Sequence, residues 1–195
     1  MTSTLKVSEI QDPTNSNSAI EVDSTGSVSL PNTAGGILQV KSTLWQARSS
    51  KSYTAATTTV VDELAVTITP RDANSKFLIM VRASGEVNGG NEHDTIYGID
   101  RNGTNINTGS YGTMNSRGLA MIQISYHADD SDSTPSTTCY QTVDSPATTS
   151  SITYKVNIWQ LQGYGKVWNS TVNSSTTNTS NEQCSSEIIV MEIGG

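Results

Sequence analysis

Histidine, phenylalanine, cysteine and proline are all scarce in this chain of 195 residues, with two, one, two and five copies respectively. The only histidines are His93 and His127, so a metal site built mainly from histidine is excluded. Neither histidine lies near a nucleophile motif such as G-x-S-x-G, and a histidine-based catalytic triad would have only these two residues to draw on. The composition therefore disfavours an enzyme and predicts no cofactor and no metal.

Positive charge is also sparse, because 11 lysines and arginines face 18 acidic residues and leave a formal net charge of −7. A nucleic-acid partner is disfavoured, since no basic cluster is available to contact phosphates. No run of about eighteen apolar residues occurs, and the N-terminus MTSTLKVSEIQD lacks the apolar core of a signal peptide. We therefore expect neither membrane insertion nor export by a signal of its own.

The two cysteines, Cys139 and Cys184, lie far apart and show no CxxC spacing. Two reduced, part-buried thiols are the favoured interpretation in the absence of a secretory signal. A disulfide formed after release from a cell is the alternative.

What the chain has in abundance is serine and threonine, with 28 and 27 copies, while only 34% of its residues are hydrophobic. Threonine, valine, isoleucine and tyrosine prevail over runs of strong helix formers, so the predicted class is all-β. The low apolar share predicts that one subunit is short of core and that burial between copies makes up the shortfall.

The N-terminal segment alternates apolar and polar residues around a turn at Asp23–Gly26. This pattern predicts two very short strands, which are marginal in water unless other surfaces cover them. We expect Met1 to about Gly36 to be an attachment shaft, with a hinge at Asn32–Gly36 and a body at Ile37–Gly195. The residues predicted to form a stripe shared between copies are Leu5, Val7, Ile10, Ile20, Val22, Val28 and Leu30.

The body repeats strand-like segments at about ten-residue spacing, the rhythm of a sandwich or barrel. Asn102 and Gly103 form the strongest hairpin signal, because both central residues of a type I′ turn need a positive φ. With long polar loops between the strands, the layout predicts a jelly-roll-like antiparallel sandwich. The predicted strands are Ile37–Trp45, Leu64–Thr69, Phe77–Ser84, Thr95–Asp100, Thr104–Ile106, Leu119–Tyr126, Cys139–Val143, Ile152–Trp159, a short one from Val167, and Glu187–Ile193.

Two of these segments are apolar on both faces. Glu187–Ile193 is expected to be central in a sheet or to lie at a subunit interface. In the segment Phe77–Ser84, Leu78 and Met80 alternate with Phe77, Ile79 and Val81, which predicts cover on both sides.

The polar loops Ser84–Asp94, His127–Thr138 and Ser170–Glu182 are where a rigid sandwich would carry binding groups. The acidic run HADDSDS is either a solvated loop tip or a cation site, and a solvated tip is favoured because the EF-hand spacing is absent. The aromatic residues in GYGKVWNS either stack on a sugar, or cap the sandwich or fill a subunit interface, and the packing role is favoured. The predicted rim-binding residues are Glu92, His93, Tyr111, Asp129, Asp130, Tyr164 and Trp168.

The segments LKVSEIQD, IEVDSTGSVSLP, GGILQV, DSPATTSSITYKV, LAVTITPRDANSKFLIMV and SSEIIVMEI together span most of the chain. In this pattern the sequence resembles the short fibre-like virion proteins of tailed phages, particularly those of aquatic hosts. The resemblance implies a location in the virion, synthesis in the host cytoplasm and trimerisation. Members of this group serve as tail fibres, head fibres, decoration proteins or other structural proteins.

The leading hypothesis is thus a homotrimeric virion fibre or knob, whose N-terminal segment binds other virion proteins and whose head contacts a host surface glycan or protein. A capsid decoration protein that stabilises the shell is the second hypothesis. A glycan-cleaving enzyme is the third, and it would need a carboxylate pair such as Glu92 and Asp94 in a sugar-binding groove.

Overall fold

Thirteen strands and one short 3-10 turn, Asn88–Gly90, are present in the computed structural model, which describes residues 9–11, 18–22, 28–29, 35–90, 95–106, 133–173 and 182–195. No α-helix occurs among these residues, and none of their helical segments is long or apolar enough to cross a membrane. The strands are β1 (Glu9–Gln11), β2 (Ser18–Val22), β3 (Val28–Ser29), β4 (Ile37–Trp45), β5 (Ser49–Ser52), β6 (Thr58–Ile68), β7 (Lys76–Val87), β8 (Thr95–Arg101), β9 (Thr104–Ile106), β10 (Ser136–Asp144), β11 (Ile152–Gln160), β12 (Gly165–Trp168) and β13 (Ser186–Ile193).

The larger sheet of the body has the order β4-β13-β7-β12-β5, and β10 also pairs with β7. Strand β13 pairs with Lys76–Arg82 of β7, and β12 pairs with Gly85–Val87 of the same strand. Since β10 occupies the other edge of β7 along residues 77–85, β12 and β13 lie end to end on one side. Among the described strands the sheet is therefore four strands wide, with β4 and β5 at one edge and β10 at the other.

The smaller sheet has the order β6-β11-β8-β9, with antiparallel pairing throughout. Its central strand β11 buries Ile152, Tyr154, Val156 and Ile158 on one face, as the alternation in the sequence predicts. Strand β6 likewise buries Leu64, Val66 and Ile68. The two curled sheets make an all-β, sandwich-like body, and the predicted class is confirmed at that level.

The core between the sheets takes side chains from alternate positions of both layers. From the larger sheet come Phe77, Ile79 and Val81 of β7, together with Ile188 and Val190 of β13. This is the expected inward set of two strands in mid-sheet. Strand β13 pairs with β4 and β7 at once, so the prediction of a central position for the C-terminal strand is confirmed.

Side chains of β4 reach across to the exposed edge of the smaller sheet. Gln39 Nε2, Lys41 Nζ and Thr43 Oγ1 donate hydrogen bonds of 2.7, 3.0 and 2.6 Å to the carbonyl oxygens of residues in or next to β6. The acceptors are Thr69, Thr67 and Ala65. These bonds occupy carbonyl groups on an edge strand that another chain could otherwise pair with.

The Asn102–Gly103 turn has the predicted geometry, because φ is 50° at Asn102 and 87° at Gly103 between paired strands β8 and β9. Other boundaries differ from expectation. Strand β5 was not predicted, since its sequence SSKS has no apolar residue, and β7 and β10 extend into segments predicted to be loop. The strand predicted at Leu119–Tyr126 lies outside the described residues.

The N-terminal strands form a small antiparallel sheet in the order β1-β2-β3. The pairing of β2 with β3 confirms the predicted pair of short strands. The register pairs Ile10 with Ile20 and Val22 with Val28. The other predicted stripe residues, Leu5, Val7 and Leu30, lie outside the described residues, and the shared stripe between copies stays a prediction.

Candidate functional site

The predicted rim site cannot be assembled from the described residues alone. Five of its seven members, Glu92, His93, Tyr111, Asp129 and Asp130, fall in segments 91–94 and 107–132, outside the part of the chain that the structure describes. Most of the acidic run HADDSDS and the pair Glu92 and Asp94 fall there too. Their binding roles stay predictions.

Trp168 is described, and its predicted exposure at the rim is wrong. Its side chain is fully buried in β12 and packs on Trp45, with ring centroids 5.3 Å apart, and edge-on to Tyr97 at 6.1 Å. The indole Nε1–H donates a 2.8 Å hydrogen bond to the Tyr53 hydroxyl, and Lys166 Nζ lies 4.9 Å from the ring centroid. The second interpretation of this aromatic residue, as a cap of the sandwich, agrees with the packing. In this structure it offers no ring face to a ligand.

Tyr53 is the polar end of this aromatic cluster. Burial raises the pKa of the Tyr53 hydroxyl to about 12, and the hydrogen bond from Trp168 offsets part of that rise. The phenol stays protonated at neutral pH, so it serves as a hydrogen-bonding anchor rather than as a base.

Tyr164 remains compatible with a surface role. It is partly exposed in the turn between β11 and β12. Its backbone N–H donates 3.1 Å and 2.9 Å hydrogen bonds to Gln160 Oε1 and to the Gln162 carbonyl oxygen, which hold the turn. Of the predicted rim residues, it is the one that the structure places at an accessible position.

A single carboxylate, Asp144, links the two sheets through hydrogen bonds. Asp144 on β10 accepts hydrogen bonds from Arg101 Nη1 on β8 at 2.8 Å and from the Tyr154 hydroxyl on β11 at 2.7 Å. Burial and the bond to Asp144 raise the pKa of Tyr154 above its ordinary value. Because the carboxylate already binds an arginine and a tyrosine, the arrangement is a clamp between sheets and not an acid-base pair.

No group of three or more histidine, cysteine, aspartate or glutamate residues that could hold a metal ion occurs within the described ranges. Both cysteines are free thiols, and Cys184 is part-buried as predicted, whereas Cys139 is exposed and the prediction of its partial burial is wrong. Burial raises the pKa of the Cys184 thiol. A buried thiol with a raised pKa is a poor nucleophile.

The most distinctive surface in the described part of the chain is the outward face of the larger sheet. Strand pairing places residues on the side of the sheet away from the core next to one another across β4, β13, β7 and β10. Each set of such neighbours, one residue from each strand, forms a row. The exposed fractions of Val40, Leu44 and Val143 are 51%, 51% and 53%. Half-buried aliphatic side chains, Leu78, Met80, Ile189 and Met191, lie between the two edges. We call this surface the outer apolar face; its apolar members are Val40, Leu44, Leu78, Met80, Val143, Ile189 and Met191.

The row of this face that contains Leu44 also contains two charged residues, Glu187 and Arg82. Arg82 Nη2 lies 3.6 Å from Glu187 Oε2, and Arg82 also donates a 2.9 Å hydrogen bond to Ser185 Oγ. An open groove of about 350 Å³ runs over Met80 and Ile189 to this ion pair and to the exposed Cys139. The groove is lined by aliphatic residues together with Cys139, Tyr140 and Gln141, and by one acid and one base.

The segment Phe77–Ser84 was predicted to be covered on both sides. The core covers the side of Phe77, Ile79 and Val81, whereas the side of Leu78 and Met80 is part-exposed. The two-sided apolar patterns of β7 and β13 were the signal for this face in the sequence. Val40, Leu44 and Val143 were missed, because their exposure depends on which strands form the sheet edges.

Compared with protein-family models and with curated proteins, the chain matches none.

Proposed function

We propose that this chain is a non-catalytic structural protein of a virus particle, a homotrimeric fibre or knob that consists of a jelly-roll head and an N-terminal attachment segment. The observation that carries the proposal is the strand order. With β5 and β12 taken as continuations of β4 and β13, the layers read β4-β13-β7-β10 and β6-β11-β8-β9. Two four-stranded sheets whose successive strands alternate between layers, except for the hairpin β8-β9, are typical of a jelly roll.

The N-terminal sheet supports the attachment role. Strands β1, β2 and β3 contain three, five and two residues, which is too little for independent stability in water. Such a sheet gains stability when other copies or a larger particle cover it. The resemblance to short phage fibre proteins points in the same direction.

A capsid decoration protein is the second candidate, and the burial of Trp168 favours it. Host recognition through the head was predicted to use the aromatic pair Tyr164 and Trp168, and only Tyr164 is accessible. A protein that clamps shell subunits needs no aromatic rim, because its contacts are with other virion proteins.

Quantitative mass spectrometry of purified particles, joined to a density map of the intact particle, tests the proposal. Copies that number in the tens or fewer and lie at a tail or vertex support the fibre, whereas hundreds spread over the shell support decoration. Absence of the protein from washed particles would overturn both.

Adsorption supplies the test of host contact. Purified wild-type protein should compete with particles for host cells, and Tyr164→Ala should compete several-fold less well if the rim contacts the host. Leu161→Ala, in the same turn, is the matched control.

A further inference from the structure

We propose that the outer apolar face is the surface through which copies of this chain associate, with a second copy of the same chain as its occupant. The inference rests on the self-association included in the proposed function, but it needs neither a virion location nor a particular number of subunits. It assigns the contact to β4, β13, β7 and β10 of the body.

The composition of the face is that of an interface centre. Its apolar side chains are leucine, isoleucine, valine and methionine on four adjacent strands, and Val40 and Val143, at opposite edges, are each about half exposed. The register adds three uncharged residues to the strand edges of this face, Ser42, Cys139 and Gln141. Apolar residues with few charges mark the buried centre of contacts between identical subunits. A contiguous apolar patch of this kind is uncommon on the free surface of a soluble monomer.

The size of the face suits the centre of a contact between copies. Four strands at about 4.8 Å spacing and three rows at about 6.7 Å cover roughly 390 Å². Two such faces in contact would bury roughly 800 Å², so the surface around the face must supply the rest of the roughly 1,000 Å² at which specific interfaces begin. Each of the four strands pairs with at least one neighbour in the sheet, so association costs little ordering of the backbone.

Charge favours a copy of this chain over other partners. The chain carries a net charge of −7, so most approaches between two copies bring like charges together. The rows from Val40 to Leu44 carry only Arg82 and Glu187, which pair with each other and sum to zero. The described face also has no aromatic ring for a sugar and no basic cluster for a nucleic acid.

The test uses the full-length protein at micromolar concentration in analytical ultracentrifugation. Met80→Glu places a charge at the centre of the face, and Leu161→Glu places the same charge on an exposed residue outside it. We expect wild type and Leu161→Glu to form the same oligomer, and Met80→Glu to weaken association at least tenfold. Because Met80 is half-buried, the double variant Leu44→Lys and Val143→Lys, at positions about half exposed, repeats the test with less risk to folding.

Alkylation of Cys139 gives an independent readout, because this free thiol is exposed at the end of the groove. In a Cys184→Ser background, Cys139 should react several-fold more slowly in the oligomer than in the face variants. Monomeric wild-type protein overturns the inference, as does an oligomer that survives every folded face variant with unchanged Cys139 reactivity. A dimer that the face variants dissociate would support the face and overturn the proposed trimer.

Discussion

Among single residues, Trp168 and Tyr164 lie close together in the sequence but in different environments. Trp168 contributes a buried ring and a hydrogen bond to the aromatic cluster, whereas Tyr164 lies in a partly exposed turn. We expect Trp168→Ala to lower the free energy of unfolding by about 3 to 5 kcal/mol, because it removes a large buried aromatic side chain. Tyr164→Ala should cost less than about 1 kcal/mol, as is usual for surface substitutions. Urea denaturation measures both, and equal losses would contradict the assigned roles.

Alkaline pH tests the buried tyrosines. Burial raises the pKa of Tyr53 to about 12, and it also raises the pKa of Tyr140 and Tyr154. An unfolded tyrosine ionises near pH 10, so the native state holds more protons above that pH. The stabilisation is fully present below about pH 10 and is lost as the pH rises toward about 12. Tyr53 alone accounts for about 2 to 3 kcal/mol of this loss.

Urea titrations at about pH 8 and about pH 11 check this expectation. Tyr53→Phe is the matched control, since it removes one titrating hydroxyl and should lower the dependence of stability on pH. A stability that does not change between the two pH values would count against buried, protonated tyrosines.

At the level of the strands, Gly85 decides whether β7 and β12 can pair. Its φ is 138°, and a Cβ there would collide with the Val167 carbonyl oxygen and lie 2.9 Å from Trp168 Cα. Gly103 also has a positive φ, of 87°, but a Cβ added there would have no atom within 4 Å. We expect Gly85→Ala to cost more than about 3 kcal/mol and Gly103→Ala about 1 kcal/mol, because only the first adds a clash to the backbone strain. Thermal denaturation of both variants separates a clash from strain alone.

The clamp formed by Asp144 links elements of different sheets. Side-chain exposure is 11% at Asp144, whereas the Asp62 that pairs with Lys155 is 72% exposed. Asp144→Asn should therefore lower the free energy of unfolding by about 1 to 3 kcal/mol, because Arg101 and Tyr154 lose a charged acceptor. Asp62→Asn should change it by less than about 1 kcal/mol, as expected for a screened surface pair, although Lys155 lowers the pKa of Asp62. Similar losses in the two variants would show that Asp144 has no special role.

On the scale of the whole molecule, backbone hydrogen bonds locate the junction between the N-terminal segment and the body at residues 35 and 36. Gly35 N–H donates a 2.8 Å hydrogen bond to the Gly194 carbonyl oxygen, and Gly194 N–H donates one of 2.8 Å to the Gly36 carbonyl oxygen. These bonds attach the end of the predicted hinge to the last strand. Residues 35 and 36 should therefore be kept when the segment is removed.

Deletion of residues 1–34 should leave a body with a single cooperative thermal transition, because the core cluster lies entirely between Trp45 and Val190. The same deletion should abolish incorporation into particles if the segment is the attachment site. Calorimetry follows the first effect and particle proteomics the second. Normal incorporation of the shortened chain would refute the attachment role without affecting the outer apolar face.

The amino-acid sequence alone is enough to locate most of the described strands and to tell which of their residues face the core. Period-two alternation is a local property, and it correctly assigned the inward residues of β6, β7 and β11. The Asn102–Gly103 turn was equally readable, because the conformations that its two residues tolerate are intrinsic to them.

Which strands become neighbours depends on the tertiary fold, and so do the burial of Trp168 and the existence of the outer apolar face. Trp168 stands among glycines and polar residues in the chain, but its pairing with Gly85 turns the ring toward Trp45 and Tyr97. Val40 and Val143 lie in one row of the sheet because β13 and β7 pair between them. Pairing joins residues more than a hundred positions apart, so no local pattern records it. The burial of a side chain follows from these distant neighbours and not from the residues beside it in the sequence.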